Sequence, residues 1–141
     1  MTSKLLGIAL AAIFVCLALV HVYWAFGGRL AGLAVIPEVR GRPAFTPSAG
    51  VTLAVAAALL GCAGLVAAVA GILVVPVSPI VLTWLGLALA LALLLRAVGD
   101  FRLVGFFKRV RGTRFARLDT IIYSPLCLAL GLGVLITALN R

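Results

Sequence analysis

Charged residues are scarce in this chain, and their scarcity decides its class. Only 11% of the 141 residues are charged and just three are acidic, whereas 65% are hydrophobic. In soluble domains about a quarter of the residues are charged and about half are apolar. A chain of 14.6 kDa cannot bury that much apolar surface in a core of its own. The composition therefore excludes an ordinary soluble domain and indicates an integral membrane protein.

Histidine and cysteine are also scarce, which limits the kinds of chemical site. His21 is the only histidine, so neither a histidine-based metal site nor a bis-histidine haem is expected within one chain. The three cysteines, Cys16, Cys62 and Cys127, lie far apart and form no C-x-x-C motif. This spacing argues against a thiol oxidoreductase and favours small buried hydrophobic residues. The sequence points to no particular cofactor.

Long apolar runs make up most of the chain. Four of them, at residues 5–26, 51–75, 80–98 and 119–139, approach or exceed the roughly 20 residues that a helix needs to cross a bilayer. No A-x-A-like cleavage site follows the first run, so we expect it to be retained as a span. Pro125 lies inside the fourth run and predicts a kink there. The sequence thus predicts one all-α domain over residues 1–141, an up-down-up-down four-helix membrane bundle.

The basic residues are distributed unequally between the two sides of this bundle. The side with both termini holds Lys4 and Arg141, whereas the first and third connections hold the other ten. The positive-inside rule then places connections one and three in the cytoplasm and the termini outside. The net charge of +9 is explained by this topology and by attraction to anionic lipids. We therefore expect the lipid bilayer and anionic lipids as partners, and no nucleic acid.

The third connection contains an apolar pattern of its own. Apolar residues recur every three positions in it: Phe101, Val104, Phe107 and Val110. This pattern predicts a short interfacial amphipathic helix between spans three and four, ending at Gly112. Two interpretations stay open. The helix is a membrane-surface anchor without a ligand, or Lys108, Arg109 and Arg111 hold an anionic headgroup or phosphate.

Small residues recur at helical spacing in the second span: Gly61, Gly64, Ala68 and Gly71. Such spacing lets two helix backbones approach closely. Packing within the bundle is the favoured interpretation, and dimerisation through this face is the alternative, which leaves a homo-oligomer open.

The ionisable groups at the span ends form the most informative pattern. His21 lies near the end of span one, Arg96 and Asp100 close span three, and Asp119 opens span four. An up-down-up-down bundle brings these ends to one membrane level. Each residue has a purely structural interpretation: an aromatic belt at His21, an Arg96–Asp100 ion pair, and a helix-start acid at Asp119.

Their convergence suggests a site with acid–base chemistry. A carboxylate beside an imidazole orients it and raises its basicity. His21, Asp100 and Asp119 are therefore the candidate catalytic residues, with His21 as the base. Polar and aromatic residues around them are the candidate ligand-binding residues: Tyr23, Trp24, Arg96, Arg102, Lys108, Arg109, Tyr123 and Ser124.

Three motifs carry a resemblance to a known family: "HVYWAFGG", "RAVGDFRLVGFFKR" and "DTIIYSPLCL". Together they resemble a family of small bacterial four-span membrane proteins, domain of unknown function 3995. The resemblance covers essentially the whole chain. It implies a four-helix integral membrane protein and no activity. We expect the chain to be a multi-pass protein of the bacterial cytoplasmic (inner) membrane. The motif positions carried over are His21, Tyr23, Trp24, Gly27, Gly28, Arg96, Gly99, Asp100, Phe101, Gly105, Lys108, Arg109, Asp119, Tyr123, Ser124, Pro125 and Cys127.

Three functions are compatible with these observations. The first is binding of an amphiphilic, lipid-like molecule with an anionic head in a polar pocket at the cytoplasmic helix ends, with or without acid–base chemistry at His21. The second is a small proton-coupled transporter acting as an oligomer, against which stands the absence of an acid deep in any span. The third is an accessory or scaffolding membrane subunit without a ligand.

Overall fold

The computed structural model describes residues 2–28, 36–39 and 42–141. Its helices are α1 (Thr2–Ala25), α2 (Ala49–Val69), α3 (Pro79–Val98), α4 (Arg114–Leu118) and α5 (Ser124–Leu139). In the first connection, β1 (Glu38–Val39) and β2 (Arg42–Pro43) form a two-stranded antiparallel pair. Arg29 and Arg40, which contribute to the predicted charge asymmetry, lie outside the described residues.

Four helical segments are long and apolar enough to cross a membrane: Ser3–Ala25, Ala49–Val69, Pro79–Val98 and Arg114–Leu139. The all-α fold and the number of spans are therefore confirmed. The helices differ from the predicted spans at two ends, because the second helix ends before residue 75 and the fourth begins before residue 119.

The second helix ends early because of the backbone at Gly71. This residue has a φ of +67°, a left-handed conformation that stops an α-helix and that glycine adopts without a steric penalty. The N–H groups of Ile72 and Leu73 both turn back to donate to the carbonyl of Ala67, at 2.9 and 3.1 Å. The apolar run continues past this point, so its length overestimates the helix.

Hydroxyl side chains begin three of the helices. The side-chain oxygens of Ser48, Ser78 and Thr113 accept the N–H groups of Val51, Val81 and Ala116, which satisfies one of the amides that a helix start leaves unpaired. The cap at Thr113 places the start of the fourth span at Arg114. Asp119 is consequently inside the helix and does not open it, which corrects the predicted helix-start role.

The fourth span is distorted just before Pro125. Asp119–Tyr123 forms a π-helical turn, in which the N–H of Ser124 donates to the carbonyl of Asp119, five residues earlier. Proline has no N–H and disrupts regular helix geometry. The irregularity expected at Pro125 thus takes the form of a wide turn that joins α4 to α5.

Glycines mark where the helices approach each other and show how they alternate in direction. Gly7, at the start of α1, packs against Ala70 at the end of α2, and Gly86 in α3 packs against Val69 and Ala138. The starts of α1 and α3 therefore lie beside the ends of α2 and α5. The end of α1, the start of α2, the end of α3 and the start of the fourth span therefore lie at the opposite end of the bundle.

The small residues of α2 were expected to pack within the bundle, and the structure shows this for only some of them. Ala68 is buried in the core, but a Cβ atom added to Gly61 or Gly64 would meet nothing within 4 Å. The bundle therefore does not use these two glycines for close helix contacts, because it packs through Gly7, Gly86, Gly131 and Gly133 instead.

The predicted interfacial amphipathic helix is absent from the described structure, where residues 99–113 form bends and turns. Gly99, Phe101, Gly105 and Gly112 all have positive φ angles, which an α-helix does not allow. The N–H groups of Phe106 and Phe107 donate to the carbonyls of Ala97 and Val98 in the last turn of α3. The three-residue apolar period therefore belongs to a folded loop, whose backbone is held against the end of α3.

Candidate functional site

A buried carboxylate organises the end of the bundle where the third connection lies. The Asp119 side chain is completely buried, and its Oδ1 accepts a hydrogen bond from Arg96 Nη2 at 2.8 Å. Its Oδ2 accepts from the Gly105 N–H at 2.8 Å, from Lys108 Nζ at 3.0 Å and from the Ser124 hydroxyl at 3.3 Å. We call these five residues the Asp119 cluster. It connects α3, the third connection and the fourth span.

Lys108 is buried together with this carboxylate, with only 3% of its surface exposed. Its ammonium also donates to the carbonyl of Gly105 at 2.9 Å and to Thr120 Oγ1 at 2.7 Å. An ammonium has three N–H donors, so each one has a partner here. A bound anion would have to replace one of these partners, which makes Lys108 a structural cation in this state and limits its predicted role as a headgroup ligand.

The loop between Gly99 and Gly105 closes on itself. The two glycines have φ angles of +96° and +88°, and their backbones are so close that a Cβ atom on either would overlap the other strand of the loop. Only glycine satisfies both requirements. We call this close backbone contact the Gly99–Gly105 crossing. It positions the Gly105 N–H to donate to Asp119.

The tip of the loop is capped by Asp100. Its Oδ1 accepts the N–H groups of Arg102, Leu103 and Val104 at 2.9, 2.7 and 3.0 Å. These bonds, that of Val104 above all, lower the pKa of the Asp100 carboxyl below its usual value. Phe101, inside this cap, has a φ of +60°, a conformation that costs a residue with a side chain about 1–2 kcal/mol.

The predicted pairing of Arg96 with Asp100 is wrong, since the structure pairs Arg96 with Asp119. α3 ends at Val98 and Gly99 turns the chain, so Asp100 no longer shares a helix face with Arg96. The other guanidinium nitrogen of Arg96, Nη1, is buried without a hydrogen-bond partner among the described residues.

His21 has partners within its own helix. Its Nδ1 lies 2.8 Å from the carbonyl oxygen of Leu17, a contact that requires the proton on Nδ1 and leaves Nε2 as the acceptor in a neutral ring. The ring packs edge-on against Trp24 with centroids 5.0 Å apart, so these two residues share a helix face, while Tyr23 is 49% exposed. The carboxylate bonds described above for Asp100 and Asp119 do not involve His21, so its pairing with either acid stays a prediction.

A basic cavity of about 590 Å³ opens beside the Asp119 cluster. It lies between the third connection and the first turns of the fourth span, and we define the basic cavity by six of its lining residues: Phe106, Arg111, Thr113, Arg114, Arg117 and Ile121. Lys108 and Thr120 form the wall shared with the cluster. Of the described residues that line it, none carries a carboxylate.

The remaining predicted residues are dispersed around this end. Arg102 and Arg109 are exposed and do not line the basic cavity. Tyr123 is half-buried, with its ring 6.0 Å from that of Phe115. Ser124 belongs to the Asp119 cluster.

Sequence reasoning missed Arg114 and Arg117 as candidate ligands, because it started the fourth helix at Asp119. The missed signal was Thr113, a good N-cap residue. A helix starting there places Arg114, Arg117 and Ile121 on one face at three- and four-residue spacing.

Comparison with known proteins identifies the family and no activity. Neither a curated protein nor a solved structure matches the chain. Residues 14–134 match the model of a family described as "Protein of unknown function (DUF3995)". That match covers most of the chain and includes the Asp119 cluster and the basic cavity, and the chain therefore belongs to this family.

Proposed function

We propose that this membrane protein binds an amphiphile with an anionic head, and that the head occupies the basic cavity. The observation that carries the proposal is that three arginine residues, Arg111, Arg114 and Arg117, line one concave space. The cavity volume of about 590 Å³ lies within the range of small-molecule sites, about 300–1,000 Å³.

Among the described residues, no carboxylate balances the charge of the arginines in the cavity. The buried carboxylate of Asp119 is already paired with Arg96 and Lys108. In the described part of the chain, the guanidinium groups of Arg114 and Arg117 form no ion pair, and Arg111 makes only a long bond of 3.4 Å to the carbonyl of Lys108. Guanidinium groups bind phosphate and carboxylate oxygens in a two-pronged geometry, so an anion is the expected occupant.

An apolar tail is favoured over a fully water-soluble anion because of the neighbouring surface. Ile121 lines the cavity and is 65% exposed, and Ile122 beside it is 48% exposed. Both lie one helical turn or more further into the apolar span than Arg117. A ligand with its head among the arginines can therefore extend its chain along the lipid-facing side of the fourth span.

The proposal assigns no reaction to the bound molecule. His21 retains an accepting Nε2 when its Nδ1 donates to Leu17, and its role as a base stays a prediction. The experiment below tests binding alone.

The test is ligand-dependent stabilisation of the detergent-solubilised full chain. We expect short-chain dioctanoyl phosphatidylglycerol or phosphatidic acid to raise the apparent unfolding temperature, and dioctanoyl phosphatidylcholine to raise it much less. A ligand that binds only the folded state at 100 times its Kd contributes about 2.7 kcal/mol. In Arg114→Gln/Arg117→Gln we expect the affinity for the anionic lipids to fall at least about tenfold, because each lost charge-assisted bond contributes about 1.5–3 kcal/mol.

A matched control removes the same charge elsewhere. Lys4→Gln/Arg141→Gln takes two exposed basic residues from the opposite end of the bundle and should leave the stabilisation unchanged. Equal stabilisation of the wild type by anionic and zwitterionic lipids would refute the proposal. So would an equal loss in both double variants, because that result indicates an effect of net charge alone.

A further inference from the structure

We propose that the third connection carries a second, separate lipid-binding surface, a preformed hook that inserts two aromatic rings among the anionic headgroups of one leaflet. The aromatic hook consists of Phe101 and Phe107 with the flanking Arg102 and Arg109. Because none of these residues lines the basic cavity, this inference stands or falls independently of the function proposed above.

The position of Phe107 places the hook at the membrane border. The Phe107 N–H donates to the carbonyl of Val98 at 3.4 Å, and the Phe106 N–H to that of Ala97 at 2.9 Å. The backbone of the hook thus lies beside the last turn of α3, a helix apolar enough to span a membrane. The outward side chains of that turn, Leu95 and Val98, are 60% and 37% exposed and continue the lipid-facing surface up to Phe107.

The two rings of the hook contribute little to the protein's own core. The side chains of Phe101 and Phe107 are 57% and 62% exposed, and their ring centroids are 6.4 Å apart. Two neighbouring phenyl rings in water would be unfavourable, whereas rings at the level where a span ends meet the headgroup and upper acyl region. Insertion there explains why both rings point outward.

The backbone of the hook is already ordered before any lipid binds. Asp100 fixes three amides of the turn, and the Gly99–Gly105 crossing fixes its base. Phe101 occupies the left-handed region, where glycine or asparagine is usual. The fold alone would be better served by glycine at this position, so the ring itself points to an external partner. A rigid turn also loses little conformational entropy when it inserts.

Charge complementarity favours an anionic lipid surface as that partner. Arg102 and Arg109 are exposed and follow the two phenylalanines in the sequence by one and two residues. The carboxylate of Asp100 is engaged by backbone amides. Basic residues near a membrane surface attract anionic lipids. An acidic soluble protein offers the same charge, but it offers no apolar layer at the level of the last turn of α3.

The experiment measures the depth of the hook in nanodiscs that contain the full-length protein. Phe107→Trp is introduced with Trp24→Phe and Trp84→Phe, which leaves a single tryptophan in the hook. We expect blue-shifted emission and stronger quenching by lipids brominated near the headgroup than by lipids brominated near the chain end. Water-exposed emission without quenching would overturn the inference, and it is also the outcome that a soluble protein partner predicts.

The lipid preference is measured by comparing brominated phosphatidylglycerol with brominated phosphatidylcholine at equal mole fraction. We expect quenching to report local enrichment of the anionic lipid, and Arg102→Gln/Arg109→Gln to reduce that enrichment by up to about fivefold for each arginine. Lys4→Gln/Arg141→Gln, with both charges at the opposite end, should leave it unchanged. Equal enrichment in all three proteins would contradict the role of the arginines.

A third variant separates the ring from the turn. Phe101→Gly keeps the left-handed backbone that glycine favours and removes only the side chain. We expect the tryptophan at position 107 to become shallower and its quenching to weaken, while the chain remains folded. Unchanged depth in this variant would show that the two rings do not insert together.

Discussion

Replacing Asp119 by asparagine tests the role of the Asp119 cluster in stabilising this end of the bundle. The substitution preserves the size of the side chain and one accepting oxygen, but it removes the charge that balances Arg96 and Lys108. The ammonium of Lys108 is buried with 2% of its side chain exposed, whereas the side chain of Arg96 is 35% exposed. Water can therefore solvate the arginine in the variant, and the cost arises mainly at the lysine.

The expected magnitude follows from this burial. Removing one partner of a buried ion pair costs about 3–5 kcal/mol, because the remaining charge stays buried without compensation. We take the lower part of that range, about 3 kcal/mol, because the second cation is partly solvated. In a chain of this size about 1 kcal/mol corresponds to about 3 °C, so Asp119→Asn should lower the apparent unfolding temperature by about 10 °C.

The assay follows the reaction of a fluorogenic maleimide with Cys62 and Cys127 during heating in detergent, because both thiols are half-buried in the fold. Lys108→Met leaves Asp119 with Arg96, the Gly105 amide and Ser124, so it should cost only about 1–2 kcal/mol. The double variant, which has neither buried charge, should be less destabilised than the sum of the single variants. A shift of less than about 3 °C for Asp119→Asn, or simple additivity, would refute the reasoning.

Three further predictions concern the loop and the cluster. Gly105→Ala should destabilise the chain strongly, because a Cβ atom there overlaps the backbone of Val98 and Gly99. The matched Gly61→Ala should cause no loss of stability, because its Cβ meets nothing within 4 Å and alanine favours a helix more than glycine does. The same thermal assay compares the two variants, and equal losses would contradict the close approach of Gly99 and Gly105. The amides of Arg102, Leu103 and Val104, which Asp100 accepts, should be protected from hydrogen exchange at neutral pH, relative to their intrinsic rates. This protection should be lost as the pH falls below about 4, because a carboxyl whose pKa is lowered by folding stabilises the loop only while it is ionised. Asp100→Asn should abolish that pH dependence, and an unchanged profile would contradict the cap. Ser124→Ala should cost only about 1 kcal/mol, since its hydroxyl bond to Asp119 is long at 3.3 Å; a loss as large as that of Asp119→Asn would show that the hydroxyl matters more than this distance implies.

The sequence was sufficient for the number and order of the helices, because the thickness of a bilayer sets the length of each apolar run. It was insufficient for the helix ends, which depend on single residues. Gly71 ends α2 although the apolar run continues past it. Thr113 caps the start of the fourth span within a segment rich in basic residues. Hydropathy does not register either signal, whereas capping chemistry does.

The sequence predicted that ionisable groups converge at one end of the bundle, but it predicted the wrong partner for Arg96. Arg96, Asp119 and Ser124 do meet there, as the alternation of the helices requires. The pairing failed at Gly99, because one turn of left-handed backbone removes Asp100 from the face of α3. Tertiary contacts of this kind depend on the conformation of a loop, and a helical period assumed across residues 99–113 conceals it.

The basic cavity is tested most directly by native mass spectrometry of the gently extracted protein, which weighs whatever molecule remains bound. We expect the wild-type chain to carry an adduct with the mass of an anionic amphiphile, Arg114→Gln/Arg117→Gln to lose it, and Lys4→Gln/Arg141→Gln to keep it. A wild-type chain without any such adduct, or one retained equally by the Arg114→Gln/Arg117→Gln variant, would contradict the proposed function.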